Sequence, residues 1–399
     1  MLYSFPSNTA LWESYAVLRG DGFRAGDDGA AATEFYRCNR EAMDVGAVVA
    51  WPERFFPLEL SAVQHAMNLW LRDREAFMAE YQNDPQSLAE VEHGTLTADQ
   101  ICAKASGRQR GEVPGGASKL TAYVDVQANL LYWAVCAWQP DFTGHVMDYG
   151  TWPRQERGYF AAKDARRTLQ TDTAASGQEG QILVGLKELA GELMGHEWLA
   201  DDGTALRVGL CVIDANWGIS TETVKTFCRL SDWSASLMPS HGRGIGPASR
   251  PMGEWDQTKA ARAGLNWQLQ KPGSGQPLRR LFYDTNFWKS FTFARLAVSV
   301  GDKGGLTLFG EPADHRLFAD HLKAEYRTRT SGRGRDVDVW DLLPQKPDNH
   351  WLDCLVGCAV AASVEGIVLE GTEAPVKKRR RVSFAEMQQR ARDKRNKAS

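Results

Sequence analysis

Three aspartates stand at positions where a carboxylate is either costly or deliberate. Asp125 lies inside the apolar run Leu120–Gln127 (LTAYVDVQ), between Val124 and Val126. A carboxylate among apolar neighbours is expensive to desolvate unless it is paired or bound to a metal. Asp214 closes VGLCVID and is followed by Ala-Asn-Trp-Gly. In open α/β sheets, ligands gather at the carboxyl ends of such strands. Asp353 lies early in the last apolar stretch, in Asp348-Asn349-His350-Trp351-Leu352-Asp353, where a helix dipole favours negative charge. Carboxylate oxygens suit Mg²⁺ or Mn²⁺. Two such ions about 3.5–4 Å apart would activate a water and stabilise the leaving oxygen of a phosphodiester. The three carboxylates would repel one another without metal. A second reading stays open on the residues alone: an aspartate at a strand end is more often a turn former or a helix cap. That alternative suits Asp214 and Asp353, and suits mid-strand Asp125 poorly.

Around these acids stand weaker candidates. Strand alternation puts Tyr123, Asp125 and Gln127 on one face and Val124 and Val126 on the other, so Gln127 is a candidate for the shell around the metal. His350 precedes Asp353 by three residues and can share its helix face. It would touch a metal, orient a water or simply make a hydrogen bond. Asp348, Asp148 and Asp284 are second-rank members of the same shell, and Asp284 in YDTN reads as readily as a turn. His241-Gly-Arg-Gly-Ile-Gly246 is either a plain flexible loop or a phosphate cradle to which Arg243 adds charge, in which case it contacts a DNA backbone.

The elements that must position these groups are legible in outline. Ala31–Ala42 and Ser61–Tyr81 carry apolar residues at three- and four-residue spacing and predict helices, the second stopped by Asn83-Asp84-Pro85. Gly107–Ser118 (GRQRGEVPGGAS) reads as a linker. Leu120–Gln127 and Leu130–Trp138 predict a hairpin about Ala128-Asn129, and Gly144–Trp152 a third strand. A helix follows at Ile182–Met194. Leu206–Ile213 has the continuous apolar character of a strand covered on both faces. Thr221–Arg229 predicts a helix, Ala235–Pro239 the opening of a fifth strand, and Trp351–Ala362 a final apolar helix. Strands in a meander, then alternating helices and a buried strand, predict an α/β protein: a mixed sheet flanked by helices, with a mainly helical N-terminal region. There is no internal repeat.

The chain of 399 residues has ordinary globular composition and a formal net charge of −3, so it is not polycationic as a whole. Seven scattered cysteines read as buried thiols in a reducing compartment. Zinc at Cys354 and Cys358 would need two more ligands, and core packing is the simpler account. No apolar run reaches a membrane span and no signal peptide opens the chain, so the expected address is the cytoplasm. The last residues differ: Lys377–Lys397 hold ten Lys and Arg against Glu386 and Asp393. Lys377, Lys378, Arg379, Arg380 and Arg381 form a KKRRR run that reads as a DNA-binding arm, a nuclear-localisation-like signal or a solubilising tail.

The segments VDVQ, IDANWGISTETVKTFCR, LFYDTNFWKSFTFARL, Ala324–Trp340 and NHWLDCLVGCAVAA, in this order and spacing, resemble the nuclease part of lambda-type phage terminase large subunits. FMAEYQNDP resembles that family's junction between motor and nuclease, and Phe35–Arg54 the end of its ATPase domain. The resemblance implies an RNase H-like fold and Asp125, Asp214 and Asp353 as catalytic acids holding two Mg²⁺ or Mn²⁺ ions. It implies double-stranded DNA as substrate, cut from concatemers for packaging, with a phage portal and a small terminase subunit as partners. No segment of this sequence matches the P-loop that the family's motor requires. The chain reads as beginning after the Walker motifs, and the expectation is no ATP hydrolysis by it alone, with a separate P-loop ATPase chain as a further partner. The organisation this suggests is 1–106 as the end of an ATPase domain, 107–118 as linker, 119–370 as nuclease and 371–399 as a basic, disordered tail. Two alternatives remain at this point: an RNase H-like junction resolvase or transposase-type nuclease, and a truncated, non-catalytic subunit that holds DNA or docks on a portal.

Overall fold

The computed structural model describes residues 1–25, 27, 29–72, 77, 96–256, 260–270, 272, 278–346 and 348–369. The KKRRR run and most of FMAEYQNDP lie outside the described residues.

The N-terminal unit is built from β1 (Leu2–Ser4), α1 (Thr9–Ala25), α2 (Ala30–Met43), β2 (Val48–Val49) and α3 (Ala62–Arg72). Trp12, Tyr15, Tyr36, Met43 and Met67 form its small core. It is joined to the rest by the Arg19 guanidinium, which donates to both carboxylate oxygens of Asp302 at 2.7 and 2.8 Å, and by Ser299 Oγ donating to the Leu71 carbonyl.

A short helix α4 (Ala98–Cys102) leads to three strands: β3 (Lys119–Val126), β4 (Leu131–Trp138) and β5 (Gly144–Trp152). Then come α5 (Leu169–Asp172), α6 (Gln178–Gly195), β6 (Trp198–Leu199), β7 (Ala205–Leu206), β8 (Leu210–Asp214), α7 (Thr221–Leu230) and β9 (Leu237–Arg243). The chain continues through β10 (Ala260–Gly264), β11 (Trp267–Gln270), β12 (Arg280–Asp284), α8 (Thr285–Ala297), β13 (Leu306–Leu308) and α9 (Arg316–Leu322). It closes with the ribbon β14 (Glu325–Gly332) and β15 (Arg335–Leu342), then α10 (His350–Val364).

Among the described residues the central sheet has nine strands in the order β10-β11-β12-β9-β8-β3-β4-β5-β13. Its middle, β9-β8-β3-β4-β5, has an antiparallel meander β3-β4-β5, with β8 and then β9 added parallel to β3. That is the RNase H-like topology. Alternation along each strand decides which helices cover which face. Tyr123, Tyr132, Ala134 and Val212 point to α8, α9 and α10, whereas Val124, Val126, Val135 and Ile213 point to α6 and α7.

Helix α10 lies deepest. It is apolar nearly all round, as a helix enclosed by its neighbours must be, and its small residues let it close on the sheet. A methyl group at Gly357 would lie 1.8 Å from the Tyr123 ring. Thr121 Oγ1 donates to the Cys358 carbonyl at 2.9 Å and accepts from Trp138 Nε1 at 2.8 Å, which ties the helix to β3 and β4. Cys354 and Cys358 are both buried there, in apolar packing.

The Gly107–Ser118 run, expected as a linker, is packed on the sheet. Gly111 N donates to the Met147 carbonyl, Ser118 N to the Trp138 carbonyl, and Val113 is fully buried. Its glycines serve turns within an ordered segment. The fifth strand, expected to open at Ala235–Pro239, spans Leu237–Arg243 and takes in His241 to Arg243, expected in the loop after it. Strands β10 to β15 and helices α8 and α9 are additions that local patterning does not announce.

Candidate active site

Strand register sets the first two acids side by side. Val124 of β3 pairs with Ile213 of the parallel β8, so Asp125 and Asp214, each one residue further on, emerge on adjacent strands at the same edge. Asp353 reaches that edge from the first turn of α10, the helix seated on β3. The three predicted acids are therefore brought together. Asp125 is 4% exposed; Asp214 and Asp353 are half-buried.

Each acid has distinct company. Asp125 accepts from Gln127 Nε2 at 3.1 and 2.9 Å on its two oxygens and from His350 Nδ1 at 2.9 Å. Gln127 thus holds the carboxylate. Burial works against the protonated ring of His350, but the hydrogen bond and charge of Asp125 outweigh it, and His350 binds its proton more tightly than usual. The Tyr132 ring lies 4.4 Å from the imidazole, and Asp348 is 3.9 Å from its other nitrogen. Asp214 accepts from Asn216 N at 3.3 Å. Burial first, then the charges of Asp125 and Asp353, raise its carboxyl well above the usual carboxylate range. Beneath the edge, Tyr123 OH stands 3.2 Å from both Ser240 Oγ and Tyr283 OH, and burial keeps both phenols neutral.

Asp353 accepts from Asn349 Nδ2 at 3.1 Å and stands 3.4 Å from Lys289 Nζ. That ammonium is buried and donates to both oxygens of Glu325, at 2.5 and 2.7 Å. Asn349 also donates to Glu325, at 2.6 Å. Burial, then the charges of Asp125 and Glu325, raise the Asp353 carboxyl; Lys289 opposes them. Sequence reasoning misses Lys289, Glu325 and Asn349. The one signal is a lysine inside the aromatic run FWKSFTF, on a helix buried over most of its surface.

The remaining candidates fall elsewhere. Asp148 lies down β5, opposite Val135, and is tied to Arg110 at 2.6 Å. Asp284 caps α8, accepting from Asn286 N at 3.0 Å and from Phe287 N and Ile245 N. YDTN, which reads as readily as a turn, is the end of β12 and the capped start of α8. Asp348 accepts from Ala162 N at 2.8 Å and flanks His350. Arg243 is exposed where β9 ends, on the same edge as the acids.

As arranged, no three His, Cys, Asp or Glu side chains among the described residues converge closely enough to enclose a metal ion. Asp353 is drawn to Lys289, and Asp125 to His350 and Gln127. The chemistry of the donor set nonetheless fits a divalent cation. The acids are hard oxygen donors, and burial, with the repulsion of the neighbouring carboxylates behind it, raises the proton affinity of Asp214 and Asp353, a cost that a bound cation would relieve.

An RNase H-like sheet with three acids at the edge shared by β3 and β8 defines a class: an RNase H-like protein whose candidate centre is acidic. Within that class, the chain matches the family of the terminase large subunit gpA, endonuclease domain, over residues 71–372, and it belongs to that family. It is a terminase nuclease-domain protein, and DNA packaging by a phage is the setting of the family. A solved nuclease domain of the large terminase subunit gp2 of bacterial virus Sf6, a lysine-to-alanine mutant with manganese, is also similar. That likeness has 12% identity, 66% of this chain and 97% of that chain covered, and a TM-score of 0.34. No curated protein matches. Among the described residues no helix is long and apolar enough to cross a membrane.

Proposed function

We propose that this chain is a metal-dependent endonuclease that cuts concatemeric double-stranded DNA during packaging, with Asp125, Asp214 and Asp353 as the acids that hold Mg²⁺ or Mn²⁺. The reading rests on one observation above all: β3, β8 and α10 carry three carboxylates to the same sheet edge. When bound, two such ions lower the pKa of a water and offset charge on a phosphodiester's leaving oxygen. The chain's own residues do the rest. Gln127 and His350 orient Asp125. Asn349 and Lys289 orient Asp353. Arg243 and the arm at Lys377, Lys378, Arg379, Arg380 and Arg381 contact the DNA backbone. In this reading residues 1–106 are the end of a motor domain, 119–370 the nuclease and 371–399 a basic arm. The portal and a small terminase subunit are its partners in the host cytoplasm.

The test is plasmid nicking. The purified chain is expected to cut supercoiled DNA with Mn²⁺ and to stop with EDTA. Asp125→Asn is expected to lose cutting by a hundredfold or more, on the order of what one key charge contributes to a transition state, while its melting curve stays cooperative. Full activity in that variant would overturn the assignment, and no cutting by the parent chain would favour a DNA-holding role.

A further inference from the structure

The segment between β5 and α6 carries charge that the acidic centre does not use. Residues 153–168 hold Arg154, Arg157, Lys163, Arg166 and Arg167 against Glu156 and Asp164, all exposed. Arg167 is tied to Asp172. Among the described residues, none of Arg154, Arg157, Lys163 and Arg166 is held in an ion pair.

Register places this segment beside the acids. Asp125 pairs with Tyr132, and Tyr132 with Thr151, so the chain passes the level of Asp125 just before β5 ends and rises from the same sheet edge. It is pinned there. Gln155 Nε2 donates to the carbonyls of Arg167 and Pro153 at 2.7 and 3.1 Å, and its oxygen accepts from Arg166 N at 3.2 Å, which closes the neck. At mid-loop Ala162 N donates to Asp348, beside His350, and Phe160 packs edge-on against Trp351. Anchors face inward, and the cationic side chains are left outside.

On the far side of the acids Arg243 leaves β9 three residues beyond Ser240, which is level with Asp214. From β9 to β5 is four strand spacings, about 19 Å. Duplex DNA carries about one negative charge per 1.7 Å of axis, so a duplex along that line presents a row of phosphates to cations at both ends, with the acids between.

We propose that residues 153–168 form a phosphate-contacting surface which, with Arg243, seats a DNA duplex across the acidic centre. The proposal rests on the reading of that centre as a DNA-cutting site. Contacts of this kind position the duplex and carry no sequence information, so the surface takes any sequence alike. Guanidinium groups suit it because they pair with phosphate bidentately.

The test uses the full chain, a short fluorescent duplex without divalent metal, and plasmid cleavage with Mn²⁺. The triple variant Arg154→Ala/Arg157→Ala/Arg166→Ala is expected to bind every duplex on the order of tenfold more weakly, its log–log salt slope flattened by about 0.9 for each phosphate no longer neutralised. The KM for cleavage should rise while kcat at saturating DNA is kept. The triple lysine variant should retain the parent's slope, since it retains the charge. If the parent chain cuts DNA and the alanine variant keeps its affinity and slope, the surface does not seat DNA, and an acidic protein partner becomes the better account of these charges. If the parent neither binds nor cuts DNA, the reading of the centre fails and the proposal falls with it.

Discussion

Lys289 is a buried cation beside the centre. Its ammonium is almost wholly buried between Glu325 and Asp353, and the charges of those two acids overcome the burial that would otherwise lower its pKa. Removing one partner from a buried charge pair leaves the other uncompensated, which typically costs about 3–5 kcal/mol. Lys289→Met is therefore expected to lose stability on that scale in urea unfolding. Lys289→Met/Glu325→Leu should recover part of the loss, because Glu325 is then no longer left as an unpaired buried charge, although Asp353 still lacks the cation that faced it. Equal destabilisation of the single and double variants would show that the lysine matters for packing and not for charge. In either variant Asp353 loses the cation that faces it, so the affinity for Mn²⁺, read by calorimetry, should change even where folding is rescued.

At the scale of elements, the centre depends on how closely α10 sits on β3. Gly357 lies directly against the Tyr123 ring, and the helix that carries it also carries His350 and Asp353. An added methyl there must push the helix or the ring aside, and overpacking of this kind costs about 1–3 kcal/mol. Gly357→Ala should lower the melting temperature and also impair cleavage, since both site residues on the helix move with it. Gly191 in α6 supplies the contrast: it is exposed, with nothing within 4 Å of an added methyl. Gly191→Ala should be neutral or stabilising by up to about 1 kcal/mol, because alanine is the better helix former. Cleavage should be untouched. If the two substitutions have the same effect, the close approach does not govern the site.

At the scale of the molecule, acid stability should turn in part on His145. It is 2% exposed on β5, with Nδ1 2.8 Å from Thr307 Oγ1 and, among the described residues, no hydrogen-bond partner at Nε2. Burial, then the charges of Arg108 and His315, lower its pKa to about 3, against a small opposing effect of Asp201. In the unfolded chain the ring takes up a proton below about 6.5. Between that pH and about 3 the unfolded state binds more protons than the native one, so stability falls as pH falls. At pH 5 the loss from this one group is about 2 kcal/mol, at 1.36 kcal/mol per unit. Urea midpoints at pH 7 and pH 5 should therefore differ less in His145→Asn than in the parent. An equal pH dependence in both would mean that the ring is protonated in the fold.

Patterns local in the chain are readable from residue order alone: the strands at 119–126, 131–138 and 144–152, the buried run ending at Asp214, and the apolar helix that opens at His350. Alternation and continuous apolar runs are set by what each segment must cover, so they survive in one dimension. The anomaly of Asp125 is legible for the same reason, a charge among valines. The other two acids can each be explained as a cap or turn until pairing is known. No periodicity states which strands pair, and only the parallel register of β3 with β8 sets Asp125 and Asp214 on neighbouring strands. Lys289 and Glu325 are 36 residues apart; the lysine stands out only by its aromatic neighbours, and on a sequence Glu325 passes for an ordinary surface charge. The basic segment after β5 likewise passes for a polar loop. The sequence by itself determined the central strands, the final apolar helix and which charge was out of place. Tertiary structure alone decided which charges meet, because meeting depends on long-range packing that leaves no trace in the spacing of residues.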